Sequence, residues 1–394
     1  MMQHPLAALR ASAGITHPAY ARLVADTHAE LGYGPMAARR EKVSRWESGG
    51  TVPELTAQLA IAHIHQVPEH EVRRLGWPHW LHLAAGDSAL LTRPWDHSGA
   101  IEALRAEVQR ADRHGPSHLA LSGPFVHALA EQWRTAAKRS TPARATGAHR
   151  TLAGTTEWAR ARVEGLGRMT RTVSPAVLYP AARSDLSLLT TFLSGASYDS
   201  RTSGPLFLLA ARVASLCAGL AISLGETAGA ERHYLVAARA AMVAGKPEIS
   251  AAYLAGVAYT HLLEGKPQDA LCLIDAAQSA LHRPGHHVAA ILHLLGARAH
   301  ALLGEAASCA RSLDRAGAAL AALATGHRGK PCPLQVVEMH LAAGEVAAAA
   351  QGAGPAVSLC DVSAKVIRRY EERFAAHSTG ADGEKTYGRL VARR

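Results

Sequence analysis

The chain has 394 residues, of which 48% are hydrophobic and only 5% aromatic, and a formal net charge of +10. This length suggests two or three domains with a large core. Abundant Ala and Leu with scarce β-branched runs disfavour sheets and predict an all-α fold. The basic charge favours a polyanionic partner, nucleic acid or an acidic membrane face, without choosing between them.

The cysteines and the N-terminus indicate the compartment. The five cysteines lie far apart without C-x-x-C spacing, and their number is odd: Cys217, Cys272, Cys309, Cys332 and Cys360. This pattern predicts reduced, buried and inert thiols. The first residues, Met-Met-Gln-His-Pro-Leu, lack the charged start and apolar core of a signal peptide, so we expect a cytoplasmic protein.

Residues 1–83 are predicted to form a domain of short helices separated by Gly and Pro. A first helix around Leu6 and Leu9 should end at Gly14, and Thr16 should cap a second, with Pro18 in its first turn. The apolar side of the second helix is assigned to Ala21, Leu23, Val24 and Leu31, before the Gly32-Tyr33-Gly34-Pro35 break. A third helix is predicted from Met36 to Trp46, a fourth from Pro53 to His65, and a fifth from near Pro68.

The third predicted helix and its flanks carry the most informative motif. Val43, Ser44, Trp46, Glu47 and Gly49 follow in order the signature of the recognition helix of the Xre/Cro-type helix-turn-helix family. Leu9-Arg10 with Gly14-Ile15-Thr16 upstream, and Val52-Pro53 with Leu59-Ala60-Ile61-Ala62 downstream, resemble the family's neighbouring helices. The resemblance covers about 70 residues. The second helix and turn are longer than the family's compact form and resemble a variant found in actinobacterial regulators.

The resemblance implies DNA contacts for eight residues and a structural role for two more. The recognition helix of such a domain lies in the major groove. Arg40, Glu41 and Arg45 are expected to contact bases, since Arg can bond guanine and Glu can accept from cytosine. Contacts to phosphates are expected from Thr16, His17, Arg39, Lys42 and Ser44. Arg10 and Glu47 occupy positions that form a partly buried, structural ion pair in the family.

Charge and composition leave an alternative open in the first 80 residues. Eight basic and seven acidic residues give this part a net charge of only +1. The basic residues of the third helix could therefore form an ordinary solvated face. In that case the chain would be a protein-interaction scaffold whose helix-turn-helix does not bind DNA.

Residues 84–175 read as a helical connector. Ile101, Leu104 and Val108 mark one helix, and Phe125, Leu129 and Trp133 mark another. Four basic residues and no acid lie from Lys138 to Arg150, which predicts a basic linker that is either a solvated loop or a phosphate-contacting arm. The tryptophans of the segment 75–81 are assigned to packing between the first domain and this connector.

Residues 176–377 repeat with a period near 40. Gly225, Gly265, Gly304 and Gly344 lie 40, 39 and 40 residues apart, each after an apolar helix. Five residues after each glycine stands a small residue: Ala230, Ala270, Cys309 and Ala349. The region resembles divergent tetratricopeptide-like repeats and predicts a solenoid of helical hairpins. Residues 378–394 are expected to be a flexible basic tail.

Three further classes of function are disfavoured. The apolar stretch 205–224 is long enough to span a membrane, but Arg212 near its centre and the absence of an aromatic belt favour a core helix. Close histidines occur at 63 and 65, at 79 and 82, and at 282, 286 and 287, without the ligand set of a zinc site. No nucleotide-binding or nucleophile motif is present, so neither an enzyme nor a cofactor is expected.

The sequence therefore predicts a sequence-specific, DNA-binding transcription regulator. We expect a homodimer on double-stranded DNA, with the repeat domain holding the dimer and binding a peptide, protein or small-molecule effector. A peptide receptor that captures backbone through asparagines is disfavoured, because the chain contains no asparagine.

Overall fold

The computed structural model describes residues 4–84, 90–91, 93–110, 119, 121–139, 150–170, 172–195, 203–281 and 284–326. Within these residues the chain is helical and contains no strand, which confirms the all-α fold. Gly344, Ala349, the residues 140–149 of the basic linker, His282, Cys332, Cys360 and the tail 378–394 lie outside the described residues.

Six short helices occupy the N-terminal part. They are α1 (Pro5–Ser12), α2 (His17–Glu30), α3 (Arg40–Glu47), α4 (Leu55–Ile64), α5 (Glu69–Leu75) and α6 (Leu81–Ala84). Helix α2 packs against both α3 and α4, and α1 against α3. The predicted cap is present, since the Thr16 hydroxyl accepts a hydrogen bond from the backbone N–H of Ala19 at 3.4 Å.

Two details of the predicted helices are wrong. The third helix begins at Arg40 rather than Met36, and the chain is non-helical from Gly34 through Arg39. Leu23 was assigned to the apolar side of α2 but is 37% exposed. The buried line of α2 runs instead through Tyr20, Val24 and Thr27, at the spacing of one helix face.

Ten longer helices follow. They are α7 (His97–Arg110), α8 (Pro124–Arg139), α9 (Arg150–Met169), α10 (Pro175–Gly195), α11 (Gly204–Ser223), α12 (Thr227–Val243), α13 (Pro247–Leu263), α14 (Pro267–Ala280), α15 (His286–Leu302) and α16 (Ala306–Gly326). Helices α7 and α9 to α12 contribute to one apolar core that includes Leu104, Val163, Leu189, Phe207 and Val236.

Chain contacts divide the molecule into two compact units, Met1–Thr260 and His261–Arg394. In the first unit, α11 packs on α12 and on α10. In the second, α15 packs on α16 and on α14. Helix α11 is long and apolar enough to cross a membrane, but 61% of its most apolar window is buried inside the protein.

The predicted glycine turns recur with the same geometry. Gly225, Gly265 and Gly304 have φ of +79°, +69° and +74°, a left-handed conformation that glycine adopts without strain. At each turn the residue after the glycine donates to a carbonyl five residues earlier, as Glu226 does to Ala221 at 2.9 Å. Ala230, Ala270 and Cys309, the small residues that follow, are fully buried.

Arg239 joins α12 to the connector. Its side chain is fully buried, and its guanidinium donates to the backbone carbonyls of Arg93 at 2.8 Å, Pro94 at 3.0 Å and Leu90 at 2.5 Å. The Trp95 ring stacks 4.5 Å from its Cζ atom. Burial lowers the pKa of Arg239 to about 10, so the group remains charged at neutral pH.

Candidate nucleic-acid interface

Helix α3 separates into a buried and an exposed side. Val43 is fully buried and Trp46 is 6% exposed, so these two residues fix the helix against its neighbours. Arg40, Glu41, Ser44 and Arg45 are exposed, and so is Arg39 immediately before the helix, while Lys42 is half-buried. The helix therefore presents the predicted base-contacting and phosphate-contacting side chains to solvent on a firmly packed support.

A three-residue cluster holds the C-terminal end of α3. Arg10 donates through Nε to Glu47 Oε1 at 2.6 Å and through Nη2 to Oε2 at 3.1 Å. The side chains of Arg10 and Glu47 are only 13% and 8% exposed. Arg10 also donates to the carbonyl of Ile15 at 2.7 Å, which ties the turn between α1 and α2 to the same pair. The structure thus pairs the two residues for which the resemblance implied a structural role.

His17 joins this cluster, a contact that the sequence did not indicate. Its Nε2 lies 2.8 Å from Glu47 Oε2. The same nitrogen lies 3.2 Å from Arg10 Nη2, which can only donate, so Nε2 either donates to Glu47 or accepts from Arg10 according to the tautomer. The predicted phosphate contact of His17 needs a hydrogen on Nδ1 and therefore depends on that tautomer.

The expected base-contacting residues interact with one another in the free protein. Arg40 Nε donates to Glu41 Oε1 at 3.0 Å, and Arg45 Nε donates to the Glu41 backbone carbonyl at 3.4 Å. Hydrogen bonds from its own backbone N–H and from Arg40 lower the pKa of Glu41, which keeps the carboxylate ionised. The side chains of Arg40 and Glu41 are 72% and 60% exposed. An ion pair this exposed is weak, so little free energy holds the two side chains in this arrangement.

The remaining predicted phosphate contacts surround the start of α2 and of α3. Thr16 is exposed; its oxygen caps α2 and its hydroxyl hydrogen remains available as a donor. Arg39 is the residue that precedes α3 and has no side-chain capping bond there. Lys42 and Ser44 lie within α3 itself. Because α2 packs on α3, these donors are carried by two helices in contact.

The segment after α5 contacts the first helices through Trp80 and the connector through His79 and His82. Trp80 is fully buried and donates to Gln58 Oε1 of α4 at 3.3 Å. His79 Nδ1 and His82 Nε2 lie 3.1 and 2.8 Å from the Ser122 hydroxyl, just before α8. The close histidines at 79 and 82 therefore serve packing here. His65 bonds the Tyr20 hydroxyl at 2.8 Å, and burial lowers the pKa of His65.

Within the part of the chain that the structure describes, no three His, Cys, Asp or Glu side chains come together as a group that could hold a metal ion. A comparison with known proteins gives no relative: no family model, no curated protein and no solved structure matches this chain.

Proposed function

We propose that this protein is a sequence-specific, DNA-binding transcription regulator and that α3 is the helix that reads DNA. The observation that carries the proposal is the construction of α3. Its apolar side chains are buried, its last turn is held by the Arg10–Glu47 ion pair, and its opposite side exposes arginines at 40 and 45. Two exposed arginines on a helix of this width suit bidentate contacts to guanine in a major groove.

The distribution of charge supports the proposal better than the net charge does. Of the eight basic residues in the first 80, four lie between positions 39 and 45. Glu47 is neutralised by Arg10, and the pair lies almost fully buried. Arg73 and Arg74 of α5 are paired with Glu69 and Glu71, and so contribute little field. Arg40 is likewise paired with Glu41, so within the described residues the basic side chains of this stretch without an ion pair are those of Arg39, Lys42 and Arg45.

A larger mechanism follows as part of the same proposal. A cytoplasmic homodimer would place two copies of α3 in successive major grooves, and the helices after α10 would hold the dimer and bind an effector. An effector that binds two arrangements of the dimer with different affinity would change the spacing of the reading helices.

Selection of duplexes from a random library by the full-length chain, followed by fluorescence anisotropy over a range of salt, tests the proposal. We expect enrichment of a defined sequence and an affinity that falls steeply with salt. An Arg40→Ala/Arg45→Ala variant should lose the discrimination between selected and random DNA, at about 1–3 kcal/mol per lost bidentate contact.

The matched control is Arg73→Ala/Arg74→Ala, which removes two exposed arginines from α5 in the same N-terminal part. It should retain the sequence preference. If the wild-type chain enriches no sequence, or if both double variants behave alike, α3 is not a reading helix and the interaction-scaffold alternative is favoured.

A further inference from the structure

The segment between α2 and α3 is ordered by a small set of interactions. Helix α2 ends with the N–H of Gly32 donating to the carbonyl of Ala29 at 3.0 Å and that of Tyr33 to the carbonyl of His28 at 3.1 Å. Gly32 and Gly34 have φ of +79° and +87°, values that favour glycine. The chain then runs without helix to Arg39, the residue that precedes α3.

His28 is the anchor of this segment. Its side chain is buried, at 7% exposure, and its Nδ1 lies 2.9 Å from the carbonyl oxygen of Gly34. Because the carbonyl only accepts, the ring nitrogen donates. The same ring contacts Tyr33 edge-on, with centroids 5.4 Å apart. One buried side chain therefore fixes both the backbone and the aromatic ring of the turn.

Most side chains of the segment face solvent and do not pack against the protein. Tyr33 is 39% exposed, and Pro35, Ala37, Ala38 and Arg39 are exposed as well. No acidic residue occurs between Glu30 and Glu41. Ordering an exposed nine-residue segment lowers its backbone entropy, and the little side-chain burial within the segment does not offset this free-energy cost. The small, acid-free side chains allow a polyanion to approach closely.

We propose that residues 31–39 form a second DNA-contacting element, in which Tyr33 and Arg39 bind the phosphate backbone beside the groove that α3 enters. His28 is the positioning residue that holds this element. The proposal rests on the proposed function, because it places the segment by the DNA-bound N-terminal end of α3. A phenol hydroxyl and a guanidinium are both donors to phosphate oxygens.

Anisotropy of the full-length chain on its selected duplex, over a range of salt, tests the element. Arg39→Ala should reduce the slope of log affinity against log salt by about 0.9, the contribution of one phosphate contact. Tyr33→Ala should weaken binding about fivefold and leave the slope unchanged, since it removes a neutral hydrogen bond. Arg160→Ala, which removes an exposed arginine of α9, is the control and should alter neither.

His28 is tested by coupling, which a purely structural role would not produce. His28→Ala should weaken binding about tenfold in the wild-type background and have little further effect in a Tyr33→Ala/Arg39→Ala background. His28→Asn, which keeps a side-chain N–H donor near the same position, should recover most of the loss. Thermal unfolding of each variant checks that the fold persists.

The outcomes separate the two proposals. If the wild type selects a sequence but the variants at 28, 33 and 39 bind like the Arg160→Ala control, the second element is refuted and α3 still reads DNA. If His28→Ala weakens binding equally in both backgrounds, its positioning role is refuted. If the wild type selects no sequence, the proposed function itself fails.

Discussion

Replacing Arg10 with methionine removes the cation beneath α3 while keeping most of the side-chain volume. Glu47, 8% exposed, is left with only His17 as a partner at 2.8 Å. Breaking a fully buried ion pair by removing one member costs about 3–5 kcal/mol. Because both side chains keep some exposure and His17 continues to donate, we expect about 2–3 kcal/mol here.

The same reasoning predicts the effect of removing both charges. An Arg10→Met/Glu47→Leu variant leaves no uncompensated charge, and the carbonyl of Ile15 and the ring of His17 are both partly exposed, so water can replace their lost partners. The double variant should therefore be within about 1 kcal/mol of the wild type, well below the sum of the single effects.

Hydrogen exchange measured by mass spectrometry on the full-length chain isolates this local effect. Peptides that cover α3 should exchange roughly 30- to 150-fold faster in Arg10→Met, the equivalent of the expected loss. Peptides from α15 and α16 are the internal reference and should not change. A change below about threefold in Arg10→Met, or a double variant as labile as the single one, would refute the assignment of the ion pair as the support of α3.

Three further predictions concern the helices beyond the candidate interface. A Cβ at Gly256 would lie 2.6 Å from ring atoms of Tyr234, whereas one at Gly219 would meet nothing within 4 Å. Gly256→Ala should therefore lower the free energy of unfolding, measured in urea, by about 1–3 kcal/mol. Gly219→Ala should raise it by about 0.5–1 kcal/mol. A change in the same direction for both variants would contradict this packing. Arg239→Met deprives the carbonyl of the buried Leu90 and those of the exposed Arg93 and Pro94 of their donor, and should cost about 2–3 kcal/mol. A melting temperature within about 2 °C of the wild type would show that Arg239 is dispensable. Burial raises the pKa of Cys217 to about 12, so iodoacetamide at pH 8 should label the partly exposed Cys272 before Cys217. Rapid labelling of native Cys217 would contradict its burial.

The sequence predicted the N-terminal helices because their ends are marked by residues with few conformational options. Gly14, with φ of +67°, and the Thr16 cap stand where the pattern put them. The start of α3 was misplaced because Met36 to Arg39 are good helix formers by themselves. Gly34, just before them, is instead held by a hydrogen bond from the buried His28 ring six residues earlier, a contact that helix propensities do not report.

The period of 40 residues located the glycine turns at 225, 265 and 304 but missed a fourth. Gly245, with φ of +70°, makes the same turn between α12 and α13. Gly285, 40 residues later, does not repeat this turn, because it has φ of −55° and is the N-cap of α15. Arg239 was also missed, because its partners are backbone carbonyls about 145 residues away. Every residue has a backbone carbonyl that can accept, so the pattern of side chains in the sequence does not predict this contact.

The attachment of the N-terminal helices limits how regulation could reach α3. Trp80 is buried and bonded to α4, while His79 and His82 both meet the Ser122 hydroxyl before α8. A hydroxyl has one hydrogen, so Ser122 can donate to only one of the two rings, and the other ring must donate to it. This arrangement is a specific, directional connection and not a flexible tether. Under the proposed function, a signal from the connector would have to move α4 and α8 together or break the contacts at Ser122.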